Sequence, residues 1–146
     1  MNIYSIFDVS AAGMNLERMR LEVSAINLAN ADATRGPNSA PFTPMRVVVH
    51  PGAAVFDHLL QGYSGGDLAS AAPSGEIAPA NVAPREVYEP GHPDADARGF
   101  VSYPGVDPVS EMVQLISITR AYEANVRAFN AGREMAMKAL DIGSGL

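Results

Sequence analysis

The chain has 146 residues with 10 basic and 16 acidic side chains, a formal net charge of −6, and neither Cys nor Trp. That length allows one domain or two small pieces sharing a core. The acidic balance argues against nucleic acid, which needs a basic face, and the lack of Cys excludes disulfide frameworks, zinc fingers and thiol nucleophiles.

The N-terminus carries no Lys or Arg before Arg18, and Asp8 interrupts its only apolar cluster. A cleaved secretory signal needs a basic start and an apolar run, so none is expected. No stretch approaches the ~18 apolar residues that cross a bilayer, so direct membrane insertion is not expected either. All 11 prolines lie between Pro37 and Pro108. Proline in a helix interior costs ~3 kcal/mol, so the proline-free ends permit long helices. The chain divides into an N-terminal helix within 1–35, a turn-rich middle at 36–106 and a C-terminal helix within 107–146. The expected fold is mainly α: two long terminal helices pairing as an antiparallel coiled-coil-like unit, with a small β-rich, loop-rich middle segment.

The first helix is expected from about Ile3 to Asp32. Val9, Ala12, Leu16, Met19, Val23 and Ile26 alternate at spacings of three and four, the pattern of an a/d seam. Phe7, Met14, Leu21 and Leu28 form a second line on the far side, at spacing seven. Narrow polar strips are left for Glu17, Arg20 and Glu22. Gly36 and Pro37 end the helix.

In the middle, 10 Pro and 9 Gly fall between residues 36 and 105. Met45–His50, Arg85–Tyr88 and Phe100–Tyr103 have strand character, whereas 62–66 and 71–75 have loop character. Four of the six net negative charges sit in this segment. An exposed hairpin or meander is expected there.

The second helix has a strong start. Asp107 is a good N-cap, Pro108 suits the first helical position, and Glu111 favours the positive helix end. A run to about Asp141 would be roughly 50 Å long. Leu115, Tyr122, Phe129 and Ala136 repeat every seven residues, with Met112, Ile116, Val126, Met137 and Leu140 on a neighbouring face.

Two antiparallel helices can cover one face of each other but not two. The short polar middle offers little further cover, and large exposed apolar patches mark interaction surfaces. Self-assembly follows, with a compact domain packed on its own middle segment as the alternative. Asn27, Asn30 and Asn125 lie in or beside the apolar faces, where a buried Asn can fix helix register.

Glu89, His92, Asp94 and Asp96 form the most site-like cluster. They could hold a divalent cation for hydrolysis, but no EF-hand spacing follows, and a Pro/Asp turn accounts for the same residues. His50 and His58 are isolated. No nucleophile elbow, phosphate loop, zinc motif or dinucleotide fingerprint occurs. No enzyme and no cofactor are expected.

Ser10-Ala11-Ala12-Gly13-Met14 followed by Ser24-Ala25-Ile26-Asn27-Leu28-Ala29-Asn30-Ala31-Asp32 resembles the N-terminal signature of the flagellar rod, hook and hook-associated proteins. Val109–Val113 through Arg120–Asn125 resembles the family's C-terminal helix. Residues 85–101 narrow the resemblance to the flagellar basal-body rod proteins of the proximal rod, and the short length agrees. The resemblance implies a structural subunit that leaves the cytoplasm through the flagellar type III export apparatus without a cleaved signal. It implies polymerisation in the periplasm around the export channel. The implied partners are copies of itself and the other proximal-rod and distal-rod proteins. The assembly interface would comprise Phe7, Met14, Leu21, Leu28, Asn27, Asn30, Met112, Leu115, Ile116, Tyr122, Asn125 and Phe129. A soluble helical adaptor using the same faces on one partner is the alternative.

Overall fold

The computed structural model describes residues 3–34, 40–50 and 73–144, with side chains at 7–34, 40–50 and 73–143. In chain order they form helix α1 (Ile3–Ala29), strands β1 (Met45–His50), β2 (Ser74–Pro79), β3 (Arg85–Tyr88) and β4 (Phe100–Tyr103), and helix α2 (Pro108–Ser144). The helices carry 27 and 37 residues and the strands 6, 6, 4 and 4. The expectation of a mainly α chain therefore holds only in part. Helix dominates, but strands supply a substantial second component. Among the described residues no helix is long and apolar enough to cross a membrane.

The described residues fall into two compact units. One draws on residues 3–19, 48–50, 73–76 and 118–144, the other on 20–34, 40–47 and 77–117. The three strands expected from β-branched and aromatic runs are present. β2 is an addition: it begins at Ser74 and runs through Gly75, where loop character was expected, and it pairs with β1. Pairing with Met45–His50 supplies hydrogen bonds that local composition does not advertise. The Gly-rich run 62–66 and His58 lie outside the described residues.

β3 and β4 form an antiparallel hairpin in which Val87 faces Val101 and Tyr88 faces Phe100. Alternation sends Val87 and Val101 to one face and Tyr88 and Phe100 to the other. Val101 is fully buried, with Pro104 and Val106 beside it in the core of the second unit. Gly105 allows this corner to close, because a Cβ there would overlap the Ala83 carbonyl oxygen and come within 2.6 Å of Val82 Cγ1.

Asp107 begins α2 as expected. Its Oδ1 accepts from the Val109 N–H and its Oδ2 from the Ser110 N–H, both at 3.2 Å, and the Ser110 hydroxyl donates to Oδ2 as well. These bonds satisfy donors that have no partner within the helix. α1 ends at Ala29, short of the expected Asp32. Asn30 bonds back to Ile26 through both its backbone N–H and its side-chain Nδ2, the latter at 2.8 Å.

Two expectations about α1 need correction. Of the a/d seam, Leu16 and Val23 are buried, but Val9 and Ile26 are exposed. Glu17, assigned above to a wet strip, is buried with Ser10, Ser24 and Asn27. The buried line is thus shifted toward small and polar residues. Short side chains let another backbone approach, an advantage that a pattern of apolar residues does not report.

Candidate functional site

Asn27 is the best-defined polar centre of the second unit. Its Oδ1 accepts from the Met45 N–H at 2.9 Å and its Nδ2 donates to the Met45 carbonyl at 2.8 Å. The side-chain amide thereby pairs with one residue of β1 as a neighbouring strand would. Nδ2 also donates to Glu111 Oε1 at 3.2 Å. One buried amide, 4% exposed, therefore ties α1 to the start of β1 and to the first turn of α2. Such a buried group is strongly oriented, because each bond lost leaves a desolvated partner.

The other asparagines act differently. Asn125 packs against Gly13, whose added Cβ would stand 2.9 Å from Asn125 Nδ2. Phe7 and Phe129 meet edge to face with ring centroids 5.1 Å apart. These contacts bring α1 and α2 together at two points in the first unit. Asn30 serves the end of its own helix. Sequence reasoning missed Glu111 as an acceptor for Asn27 and Gly13 as a point of close approach. Spacing could have flagged Gly13, which lies two heptads before Asn27, whereas no local signal marks Glu111, 84 positions from Asn27.

The remaining expected interface residues divide by exposure. Met14, Leu28 and Leu115 are half-buried. Leu21 (38%), Tyr122 (40%), Met112 (47%) and Ile116 (57%) are exposed. Val109 and Val113, not singled out above, are exposed too. Val109, Met112, Val113 and Ile116 are spaced by three, one and three residues, which places them on one face of the first turns of α2. The arrangement is an apolar helix face open to solvent.

The segment between β3 and β4 is a bonded turn. Asp96 Oδ1 accepts from the Arg98 N–H at 2.8 Å and the Phe100 N–H at 2.9 Å, and Asp96 Oδ2 pairs with Arg98 Nε at 3.1 Å. The Phe100 bond, aided by Arg98, holds the Asp96 carboxyl below its usual range. His92 Nδ1 accepts from the Asp94 N–H, Asp94 accepts from the Thr34 hydroxyl at 2.6 Å, and Tyr103 donates to Glu89 at 3.1 Å. Burial, helped by that bond to Glu89, raises the Tyr103 phenol. The four side chains considered for a cation are thus engaged separately. No group of three or more potential ligands is gathered among the described residues.

A family model described as flagellar basal body rod FlgEFG protein C-terminal matches residues 97–142, which include β4 and most of α2. The chain is 37% identical to the flagellar basal-body rod protein FlgC of Escherichia coli O6:H1, over 98% of this chain and 99% of the relative. It is 38% identical to the FlgC protein of Bacillus subtilis, again over 98% and 99%. Identity to the FlgC protein of Borreliella burgdorferi is 32%, over 97% and 98%.

Proposed function

The chain belongs to the FlgC family of flagellar basal-body rod proteins, as a structural rod subunit and not an enzyme, and from that premise we propose that it polymerises through its terminal helices in the proximal rod. The observation that carries this reading is the open apolar face of α2 at Val109, Met112, Val113 and Ile116. Fully burying such a side chain is worth ~1.5–3 kcal/mol. These four are about half exposed, so covering them would contribute on the order of 4 kcal/mol per subunit. Leu21 and Tyr122 extend the same argument along both helices.

In this reading residues 1–35 and 107–146 form the assembly core, as an antiparallel pair supported by the Phe7–Phe129 and Gly13–Asn125 contacts. The middle segment, 36–106, stands further from the axis. Phe7, Met14, Leu28, Leu115 and Phe129 shape the helix pair, Asn27 and Asn125 set its register, Asn30 closes the end of α1 instead of setting register as expected, and Leu21, Met112, Ile116 and Tyr122 meet neighbours. Those neighbours are copies of this chain and other proximal-rod and distal-rod proteins. The subunit reaches the periplasm through the flagellar type III export apparatus without a cleaved signal.

The test places Ile116→Asp, Leu21→Asp and Tyr122→Asp in cells lacking the wild-type copy. Each site is exposed in the single chain, Ile116 the most, so the subunit should still be made and exported. Rods should not form and swimming should stop. Normal swimming in all three would refute assembly through these faces.

A further inference from the structure

Glu111 sits in the first turn of α2, where its N–H donates to the Asp107 carbonyl at 3.0 Å. Its carboxylate meets α1. Oε1 accepts from Asn27 Nδ2 at 3.2 Å, but Oε2 is buried with no hydrogen-bond partner among the described residues. A carboxylate oxygen taken out of water without a donor keeps its desolvation cost. The positive end of the helix offsets only part of it. Asn27, by contrast, is matched by Met45 on both sides of its amide. Gln at position 111 would accept the same bond from Asn27 through Oε1 and would place a neutral NH2 where Oε2 sits, which costs less to bury than an ionised oxygen. Two joints made by one side chain therefore differ in strength: α1 to β1 is well matched, and α1 to α2 is not.

We infer that the Asn27–Glu111 contact is a weak latch, holding the first turns of α2 on α1 while opening more readily than the Asn27–Met45 pair beside it. The use of the latch rests on the rod reading. A subunit that is threaded as an extended chain and then reseated among neighbours gains from a helix joint that parts without breaking the β1 attachment. The latch itself is a property of one chain.

Native-state hydrogen exchange on the purified full chain tests it, comparing wild type with Glu111→Gln and Asn27→Asp. Glu111→Gln should slow exchange of the amides at 112–117 by about fivefold or more, with the Met45 amide unchanged. Asn27→Asp removes the donor and sets two carboxylates face to face, so exchange at 112–117 should quicken. Equal or faster exchange in Glu111→Gln, failure of that variant to fold, or unchanged exchange in Asn27→Asp would each overturn the latch. None of these results depends on whether the chain polymerises, so the latch and the rod reading fail separately.

Discussion

Replacing Gly105 by Ala puts the packing of the second unit under direct strain. The added Cβ would overlap the Ala83 carbonyl oxygen, lie 2.6 Å from Val82 Cγ1 and lie 3.3 Å from the Ala83 carbonyl carbon. Carbon atoms pack at ~3.5–4.0 Å, so the Val82 contact is about an ångström too close. Val82 can rotate away, but the Ala83 carbonyl is backbone and is followed by Pro84, which limits its movement. The alternative is to displace the Pro104–Val106 corner, where Pro104 is fully buried and Val106 nearly so. Overpacking of this kind costs ~1–3 kcal/mol. With backbone on one side and core on the other, the upper end applies, about 3 kcal/mol. For a chain of this length that is a fall of about 10 °C in Tm. The assay is urea and thermal unfolding of the full chain, followed by tyrosine fluorescence, since Tyr88 and Tyr103 lie on the affected hairpin. Gly91→Ala is the matched control, because nothing lies within 4 Å of its added Cβ; it should shift stability by less than ~0.5 kcal/mol. A Gly105→Ala protein as stable as Gly91→Ala would refute this account of the corner.

Gly99→Ala should also destabilise, by about 2 kcal/mol: Gly99 has φ of 81°, which costs an L-residue ~1–2 kcal/mol, and its Cβ would crowd Tyr88 Cε2 at 2.9 Å. Tyrosine fluorescence reports this variant directly. At Gly13 the sign turns on size: Ala gains ~1 kcal/mol of helix propensity against moving one amide, and should be near neutral by circular dichroism. Leu there should force the helices apart and lower helicity. Acid should weaken the fold below about pH 4. Asp96, held by the Phe100 N–H and Arg98, and Asp107, held by the Ser110 hydroxyl and the Val109 N–H, both titrate below 3.8 when folded. Their contribution is complete above the unfolded value and is lost as pH falls through the folded ones. Asp96→Asn with Asp107→Asn should flatten that acid limb in a Tm–pH series. Tyr103 sets the opposite limb: its raised phenol adds stability that is lost as pH climbs above about 10, and Tyr103→Phe should remove that loss.

The local elements were legible because each has a local cause. Proline confined to 37–108 leaves both ends free to be helical, Asp107-Pro108 starts a helix by capping chemistry, and the β-branched and aromatic residues of Arg85–Tyr88 and Phe100–Tyr103 mark strands. The Asn-Leu-Ala-Asn run and residues 85–101 were enough to indicate the family. Which face of α1 is buried was not legible. Apolar periodicity favours Val9 and Ile26, yet Ser10, Glu17, Ser24 and Asn27 lie inside, because burial depends on how closely a second backbone can approach. The strand at Ser74–Pro79 depends on β1, so its own residues do not announce it. Asn27 was recognisable as a polar residue beside an apolar stripe. Only tertiary structure decided that it grips Met45 and that Glu111, 84 positions away in the chain, meets it with one oxygen satisfied and one not. Propensity and capping act within a few residues and are written in order along the chain. Close approach and desolvation arise between distant segments, and exist only once those segments meet.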